Sequence, residues 1–270
     1  MRDPKSILIT GASSGIGEAL AVEYAGHDVF LALSGRDEER LAEIRQRCRN
    51  KGATIEARVI DVTDRGAMAD WVAEVVARRP LDLVVANAGV SAGTGGASES
   101  PEQARRVLAT NIDGVMNTVL PAIDAMLARQ PTRPDGRRGQ IAVMSSLAGF
   151  RGFPGAPSYC ASKAAVRIWG EAMRGELHHR GIGVSVICPG YIRSRMTARN
   201  KFPMPMLMDA ERAARIIRRG LRRNRARIAF PLPMYWLARL VAGLPMWMTD
   251  PFMRILPKKE AAAGPDKPAA

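Results

Sequence analysis

Cysteine and histidine are too few in this chain, and too scattered, to build a metal centre or a disulfide framework. Cys48, Cys160 and Cys188 show neither paired nor metal-type spacing, and His27 and the adjacent His178-His179 have no companion ligands. No metal site is expected, and the thiols are expected to be reduced, as in a cytosolic protein. Long apolar runs are missing too: no uninterrupted stretch reaches the roughly 18 residues of a membrane span. The start, Met1-Arg-Asp-Pro-Lys5, leads into a strand-like segment with no apolar signal region before it. The expected location is cytoplasmic, free or peripheral at the inner face of a membrane. No Pro/Gly-rich linker divides the middle, so the 270 residues are read as one large unit.

Positive charge is what the chain has in excess. Forty Lys and Arg face 26 Asp and Glu, a net +14, with arginines scattered from Arg36 to Arg254 and densest between Arg212 and Arg227. An anionic surface would attract such a chain, although overuse of arginine throughout accounts for the scatter as well. The dense group has little aromatic interleaving on which bases could stack, so nucleic acid is not an expected partner. At 47% hydrophobic and 24% charged residues, the remainder is ordinary globular material.

Apolar strand-like runs at 6–10, 28–33, 54–60, 81–86, 140–144, 183–188 and 227–230 alternate with helical patterns at 18–25, 38–51, 67–79, 101–129, around Tyr159 to about 180, and 209–223. This alternation predicts an α/β fold, a single-domain Rossmann-like doubly wound parallel sheet of about seven strands with helices on both faces, and ligands at the carboxyl ends of the strands. Loops are expected at 91–98, mobile and rich in glycine, and at 130–139. The predicted division is a dinucleotide-binding and catalytic unit at 1–230, a hydrophobic and basic extension at 231–256, and a disordered tail at 257–270.

The chemistry-bearing residues fall at those strand ends. Gly11-Ala-Ser-Ser-Gly15-Ile-Gly17 follows the first strand and opens a helix, where glycines let the backbone approach a pyrophosphate and the helix N-terminus offers free amides. After the second strand, Gly35 leaves room and Arg36 supplies charge for a 2′-phosphate, favouring NADP(H) over NAD unless Arg36 merely opens the next helix. Asp61 at the third strand's end could accept from an adenine amino group or cap the following helix. Asn111 places an amide in an apolar setting, where it can hold backbone or water. Ser145 and Ser146 end the fifth strand, and Pro189-Gly190 the sixth. Tyr159 and Lys163, four apart, share one helix face. A nearby ammonium favours the phenolate, which makes Tyr159 a candidate general acid/base with Lys163 lowering its pKa from roughly 10; a solvated helix face is the alternative.

Thr10-Gly11-Ala12-Ser13-Ser14-Gly15-Ile16-Gly17, Asn87-Ala88-Gly89, Tyr159-Cys-Ala-Ser-Lys163 and Pro189-Gly190 together resemble the short-chain dehydrogenase/reductase family in order and spacing, over about residues 6–200. The resemblance implies that Tyr159 exchanges a proton with a carbonyl or alcohol oxygen. Lys163 would bind the nicotinamide ribose, Ser146 orient the substrate oxygen, and Asn111 hold a relay water. It implies cofactor contacts at Gly11, Ser13, Ser14, Gly15, Ile16, Gly17, Arg36, Asp61, Val62, Asn87, Ala88, Gly89, Tyr159, Lys163, Pro189, Gly190, Ile192 and Ser194, with Ser194 where the family usually has threonine. Gly35-Arg36 resembles the NADP-preferring branch. A small-molecule carbonyl or alcohol substrate and a homodimer or homotetramer are also implied.

Beyond the resemblance, 191–208 is expected to cover the substrate, with Phe202, Met204, Met206, Leu207 and Met208 lining an apolar pocket or simply packing. The extension at 231–256 suits an interfacial helix on lipid, a subunit contact, or a lid.

Overall fold

The computed structural model describes residues 3–94, 98–131, 136–198, 200 and 202–255. The expected loops at 91–98 and 130–139 fall partly outside the described residues, and the expected tail at 257–270 wholly so.

Among the described residues seven strands are formed, β1 (Ser6–Thr10), β2 (Phe30–Gly35), β3 (Thr54–Val59), β4 (Leu83–Ala86), β5 (Gly139–Met144), β6 (Ile182–Pro189) and β7 (Arg227–Phe230). They make one sheet in the order β3-β2-β1-β4-β5-β6-β7, and every pairing is parallel. Helices α1 (Gly15–Tyr24), α2 (Glu38–Arg49), α3 (Arg65–Arg78), α4 (Pro101–Leu108), α5 (Gly114–Ala128) and α6 (Pro157–His178) alternate with the first six strands; α7 (Arg195–Ala198), α8 (Ala210–Arg222), α9 (Leu232–Gly243) and α10 (Met246–Ile255) follow.

A strand's side chains alternate between the two faces of a sheet. In β1, Ile7 and Ile9 enter one core with Leu31, Leu33, Leu83 and Val85 under α1, α2 and α8. Leu8 enters the other with Ala32, Val84, Ile141 and Val143 under α3, α5 and α6. Because both faces are covered, the strands read as continuous apolar runs. The strand order reverses between β1 and β4, so the crevice at their carboxyl ends is the place for a ligand.

Two elements differ from the sequence reading for visible reasons. Asp28 has a φ of +62°, a left-handed turn that delays β2 to Phe30. The single helix expected at 101–129 is α4, a π-helical turn at Ala109–Asp113, and α5. Asn111 lies in that wider turn, fully buried, and such turns recur at functional sites.

The tightest contact joins the first turn of α1 to the loop before it. A Cβ at Gly17 would lie 2.2 Å from the Gly11 carbonyl oxygen and 2.5 Å from Asn87 Nδ2. Gly17→Ala should therefore cost roughly 1–3 kcal/mol of stability. Chemical denaturation measures it, and an unchanged midpoint would show that the turn relaxes freely.

Candidate active site

The crevice begins at the turn between β1 and α1. Gly11 and Gly15 take φ values of +67° and +59°, which glycine adopts without strain. A Cβ at Gly11 would lie 2.8 Å from Ala88 Cα, so the turn presses on the end of β4. Asn87 Nδ2 donates to the carbonyls of Thr10 (2.9 Å) and Gly11 (3.2 Å), while the amides of Asn87 and Ala88 donate to Thr10 Oγ1 at 3.1 and 3.2 Å. Asn87 thus clamps the turn, with Thr10 as its counterpart.

Ser14 is the N-cap of α1, yet its side chain accepts from no helix amide. The first-turn amides at Gly15, Ile16 and Gly17 therefore have no side-chain cap from Ser14. At the neighbouring strand end, a Cβ at Gly35 would meet Ser13 Oγ at 2.7 Å, and Arg36 is exposed beside it. Arg40, which the sequence reading passed over, lines with Ser13, Ser14 and Gly15 a groove of about 360 Å³. It pairs with Asp37 at 2.5 Å, and its buried Nε has no hydrogen-bond partner. These open amides, and a floor with no room for a Cβ, fit a dinucleotide pyrophosphate.

Asp61 is not the cap of α3. Its Oδ1 accepts from Thr63 N (2.9 Å) and Thr63 Oγ1 (2.8 Å), whereas Asp64 accepts from Ala67 N at 2.9 Å and caps the helix. Val62 is buried against Gly114, where a Cβ would lie 2.5 Å from Val62 Cγ2, and its carbonyl accepts from Asn117 Nδ2 at 3.0 Å.

The second half of the site gathers on α6 and the end of β5. Ser146 Oγ accepts from Ala148 N at 3.1 Å, capping a 3₁₀ turn at Leu147–Gly149, and donates to Pro189 O at 3.4 Å. Ser145 Oγ donates instead to the Lys163 carbonyl at 2.7 Å. Of the two serines, Ser145 fastens the helix and Ser146 faces Tyr159.

Lys163 is buried, and its Nζ donates to Met144 O at 3.0 Å and lies 5.9 Å from the Tyr159 ring centroid. Burial pushes the Lys163 pKa down to about 8. Burial also raises Tyr159 above the usual tyrosine range, while its hydrogen bond with Ser146 acts in the opposite sense. The sequence reading had Lys163 lowering the tyrosine; here burial dominates and Ser146 supplies the opposing effect.

Asn111 Oδ1 accepts from Val90 N at 2.8 Å, and its Nδ2 donates to Val90 O (3.0 Å) and Ser162 Oγ (2.9 Å). The amide therefore ties the β4 exit to α6. Gly89 sits between: a Cβ there would meet Asn111 Oδ1 at 3.1 Å and Lys163 Nζ at 3.3 Å. Glu99, another residue the sequence did not signal, takes the place of a missing side-chain cap on α6; its carboxylate accepts from Ser158 N at 3.1 Å and from Ser158 Oγ.

The covering segment closes on the glycine turn. Ile192 pairs with Met208, Arg193 N donates to Met208 O at 2.8 Å, and Ser194 Cβ stands 3.2 Å from where a Cβ on Gly15 would be. Thr197 Oγ1 accepts from Ser194 N (2.9 Å) and donates to Ile192 O (2.7 Å), holding Ser194 in place. Gly190 N donates to Phe230 O at 2.8 Å, joining Pro189-Gly190 to the end of β7. Among the methionines expected to line a pocket, Met208 packs into the core and Met206 is exposed. Apolar atoms of Leu147 and Met234 instead flank Gly190, each 3.5 Å from where its Cβ would be. The fold thus places a phosphate-type cradle at one end of a crevice and the Ser146, Tyr159 and Lys163 cluster at the other.

A family model described as short chain dehydrogenase matches residues 5–203. An uncharacterized oxidoreductase of Myxococcus xanthus is 36% identical over 254 residues, covering 93% of this chain and 97% of that one. A short chain dehydrogenase/reductase of Burkholderia phymatum, solved in complex with NAD, superposes with a TM-score of 0.79 at 22% identity, over 97% of this chain and 98% of that one. A short-chain dehydrogenase of Sphingobium yanoikuyae, solved in complex with NADPH, gives 0.75 at 24% identity, over 95% and 98%. At these identities the two structures speak for the fold.

The burial of Lys163 has a consequence for stability. Its pKa is about 8 in the folded protein against 10.5 for an ordinary lysine, so below about pH 8 both states hold the proton and the burial penalty is complete. Between the two values the unfolded chain binds more protons, and stability rises with pH. Lys163→Met should therefore stabilise the fold at neutral pH by about 1–3 kcal/mol, a gain that shrinks between about pH 8 and 10.5 and is smallest above 10.5. Paired melts at both pH values check this; lower stability of the variant at neutral pH would mean that the bond to Met144 O outweighs desolvation.

Proposed function

From the premise that the chain belongs to the short-chain dehydrogenase/reductase family and is an oxidoreductase, we propose that it interconverts a carbonyl and a secondary alcohol of an apolar substrate, using NADP(H), with Tyr159 as general acid/base. The observation that carries this reading is the meeting of Ser146, Tyr159 and Lys163 at the end of the crevice opposite the glycine turn.

The dinucleotide, when bound, supplies or accepts the hydride. The chain's own residues do the rest. In reduction Tyr159 gives its proton to the carbonyl oxygen, and in oxidation it takes one back. Ser146 Oγ, beside the tyrosine, donates to the same oxygen and stabilises charge developing there. Below about pH 8 the Lys163 side chain is cationic, while the hydrogen bond with Ser146 is what opposes the burial that raises the tyrosine. Lys163 also reaches the nicotinamide ribose in this reading. Asn111 keeps the helix carrying both groups in register with β4, and proton exchange through a water at Asn111 belongs to the same reading.

A 2′-phosphate is the partner suggested for Arg36, with Arg40 close to the cradle; the space beside Gly35, which the sequence suggests is left for the phosphate, is taken by Ser13. Asp61 and Val62 would meet the adenine, and Ile192 and Ser194 the nicotinamide end. The apolar substrate reading is supported by Leu147 and Met234 beside Gly190, with Phe150 and Tyr235 packed on the same cluster. A homodimer or homotetramer and a cytoplasmic location accompany the proposal; no helix among the described residues is long and apolar enough to cross a membrane.

Tyr159→Phe should retain NADPH binding, read by fluorescence titration, and lose roughly 100-fold or more of turnover across a panel of ketones and aldehydes of increasing chain length. Turnover equal to wild type would sink the proton role. Binding of NADPH by the wild type with no carbonyl reduced would favour a non-catalytic nucleotide sensor. Separately, Arg36→Asp should lower the NADPH-to-NADH ratio of kcat/KM by about tenfold or more; an unchanged ratio would remove Arg36 from phosphate recognition.

A further inference from the structure

Helices α9 and α10 have an anchored side and an open side. On the anchored side, Tyr235 meets Phe150 edge-on with ring centroids 5.6 Å apart, and its hydroxyl accepts from Arg227 Nη1 at 3.0 Å. The buried Thr249 of α10 accepts through Oγ1 from Arg151 Nη2 at 2.7 Å. Phe150 and Arg151 directly follow the 3₁₀ turn capped by Ser146. Both helices are therefore pinned to the loop that leaves the substrate serine.

The open side is apolar. Of the thirteen exposed large apolar side chains among the described residues, seven lie between Leu232 and Met248. Leu232, Trp236 and Leu240 recur every four residues and form one stripe of α9, with Leu237 beside it. Met246, Trp247 and Met248 continue the exposure on α10; Trp236 is 63% and Trp247 76% accessible. Concentration of this kind marks an interaction surface rather than the single apolar residues scattered over any protein.

Charge selects the occupant. The one acid of this segment, Asp250, is 3.4 Å from Arg151, while Arg239 is exposed on α9 and the whole chain carries +14. A second copy would bring two such charges together, whereas an anionic bilayer complements both the charge and the apolar stripe. Tryptophan is at home where hydrocarbon meets headgroup. Neither helix can span a membrane, so the geometry is that of helices lying in the interface.

We propose that the outer face of α9 and α10 docks on an anionic lipid bilayer, holding the mouth of the active site at the surface in which an apolar carbonyl substrate dissolves. The second half of this statement rests on the apolar-substrate reading; the docking itself does not.

The test uses the full chain with phosphatidylglycerol/phosphatidylcholine vesicles, phosphatidylcholine vesicles, and no vesicles, read by co-sedimentation and tryptophan emission. Wild type should sediment with the anionic vesicles, less with the neutral ones, with a blue shift in emission. Trp236→Glu combined with Leu240→Glu should weaken vesicle binding roughly tenfold or more. That variant should melt like wild type and reduce a short water-soluble ketone at the same rate. Ile168→Glu, an exposed apolar position away from the stripe, should bind as wild type does. Absence of binding to anionic vesicles, or equal binding by the double variant, would overturn the proposal. So would a wild-type dimer that the double variant dissociates, since the stripe would then be a contact between copies. Vesicle binding by a chain that reduces no ketone would uphold docking and remove only the proposed reaction.

Discussion

The Gly11 carbonyl leaves no room around it, and the rest of the site depends on that crowding. The first turn of α1 reaches it so closely that position 17 admits only a hydrogen, and Asn87 Nδ2 hydrogen-bonds the same oxygen from close beside that position. Three elements, β1, α1 and β4, are thereby fixed at the point where the strand order reverses. Gly35 repeats the device at the next strand end, where the approach of Ser13 allows no side chain.

The cluster of Ser146, Tyr159 and Lys163 is held by a different means, through polar groups buried and satisfied. Ser145 and Asn111 spend their hydrogen bonds on α6 and on the exit from β4, so neither is free to move. Glu99 adds a carboxylate to the N-terminus of α6, where negative charge is favoured. Within that frame Lys163 is placed where its charge is disfavoured, at a cost to the fold. Such local instability is the usual companion of a reactive group kept near its titration point. The same burial raises the tyrosine, so the two groups, whose ordinary pKa values nearly coincide, are pushed apart, the lysine downward and the tyrosine upward.

The C-terminal helices extend this frame instead of standing apart from it. Arg227 bridges Glu171 of α6 to Tyr235 of α9, and Arg167 stacks over Phe150 at 4.6 Å. Phe150 is thus clamped between cations and a ring directly after the loop bearing Ser146. What lies beyond α9 is connected mechanically to the Ser146 end of the crevice.

The sequence by itself determined the alternation of strands and helices, because apolar runs buried on both faces cannot be mistaken for solvated helix. It also determined the glycine turn and the Tyr159–Lys163 spacing, because both are local: a backbone that needs positive φ and a helix that repeats every 3.6 residues. Tertiary structure decided the rest. Whether Ser145 or Ser146 faces the tyrosine, and whether Asp61 or Asp64 caps α3, depends on which atoms other elements bring near. The π turn at Asn111, the cap from Glu99 and the groove position of Arg40 have no periodic signature. The sign of the tyrosine shift likewise went to tertiary structure, since desolvation is set by the whole packed environment and not by one lysine a helical turn away.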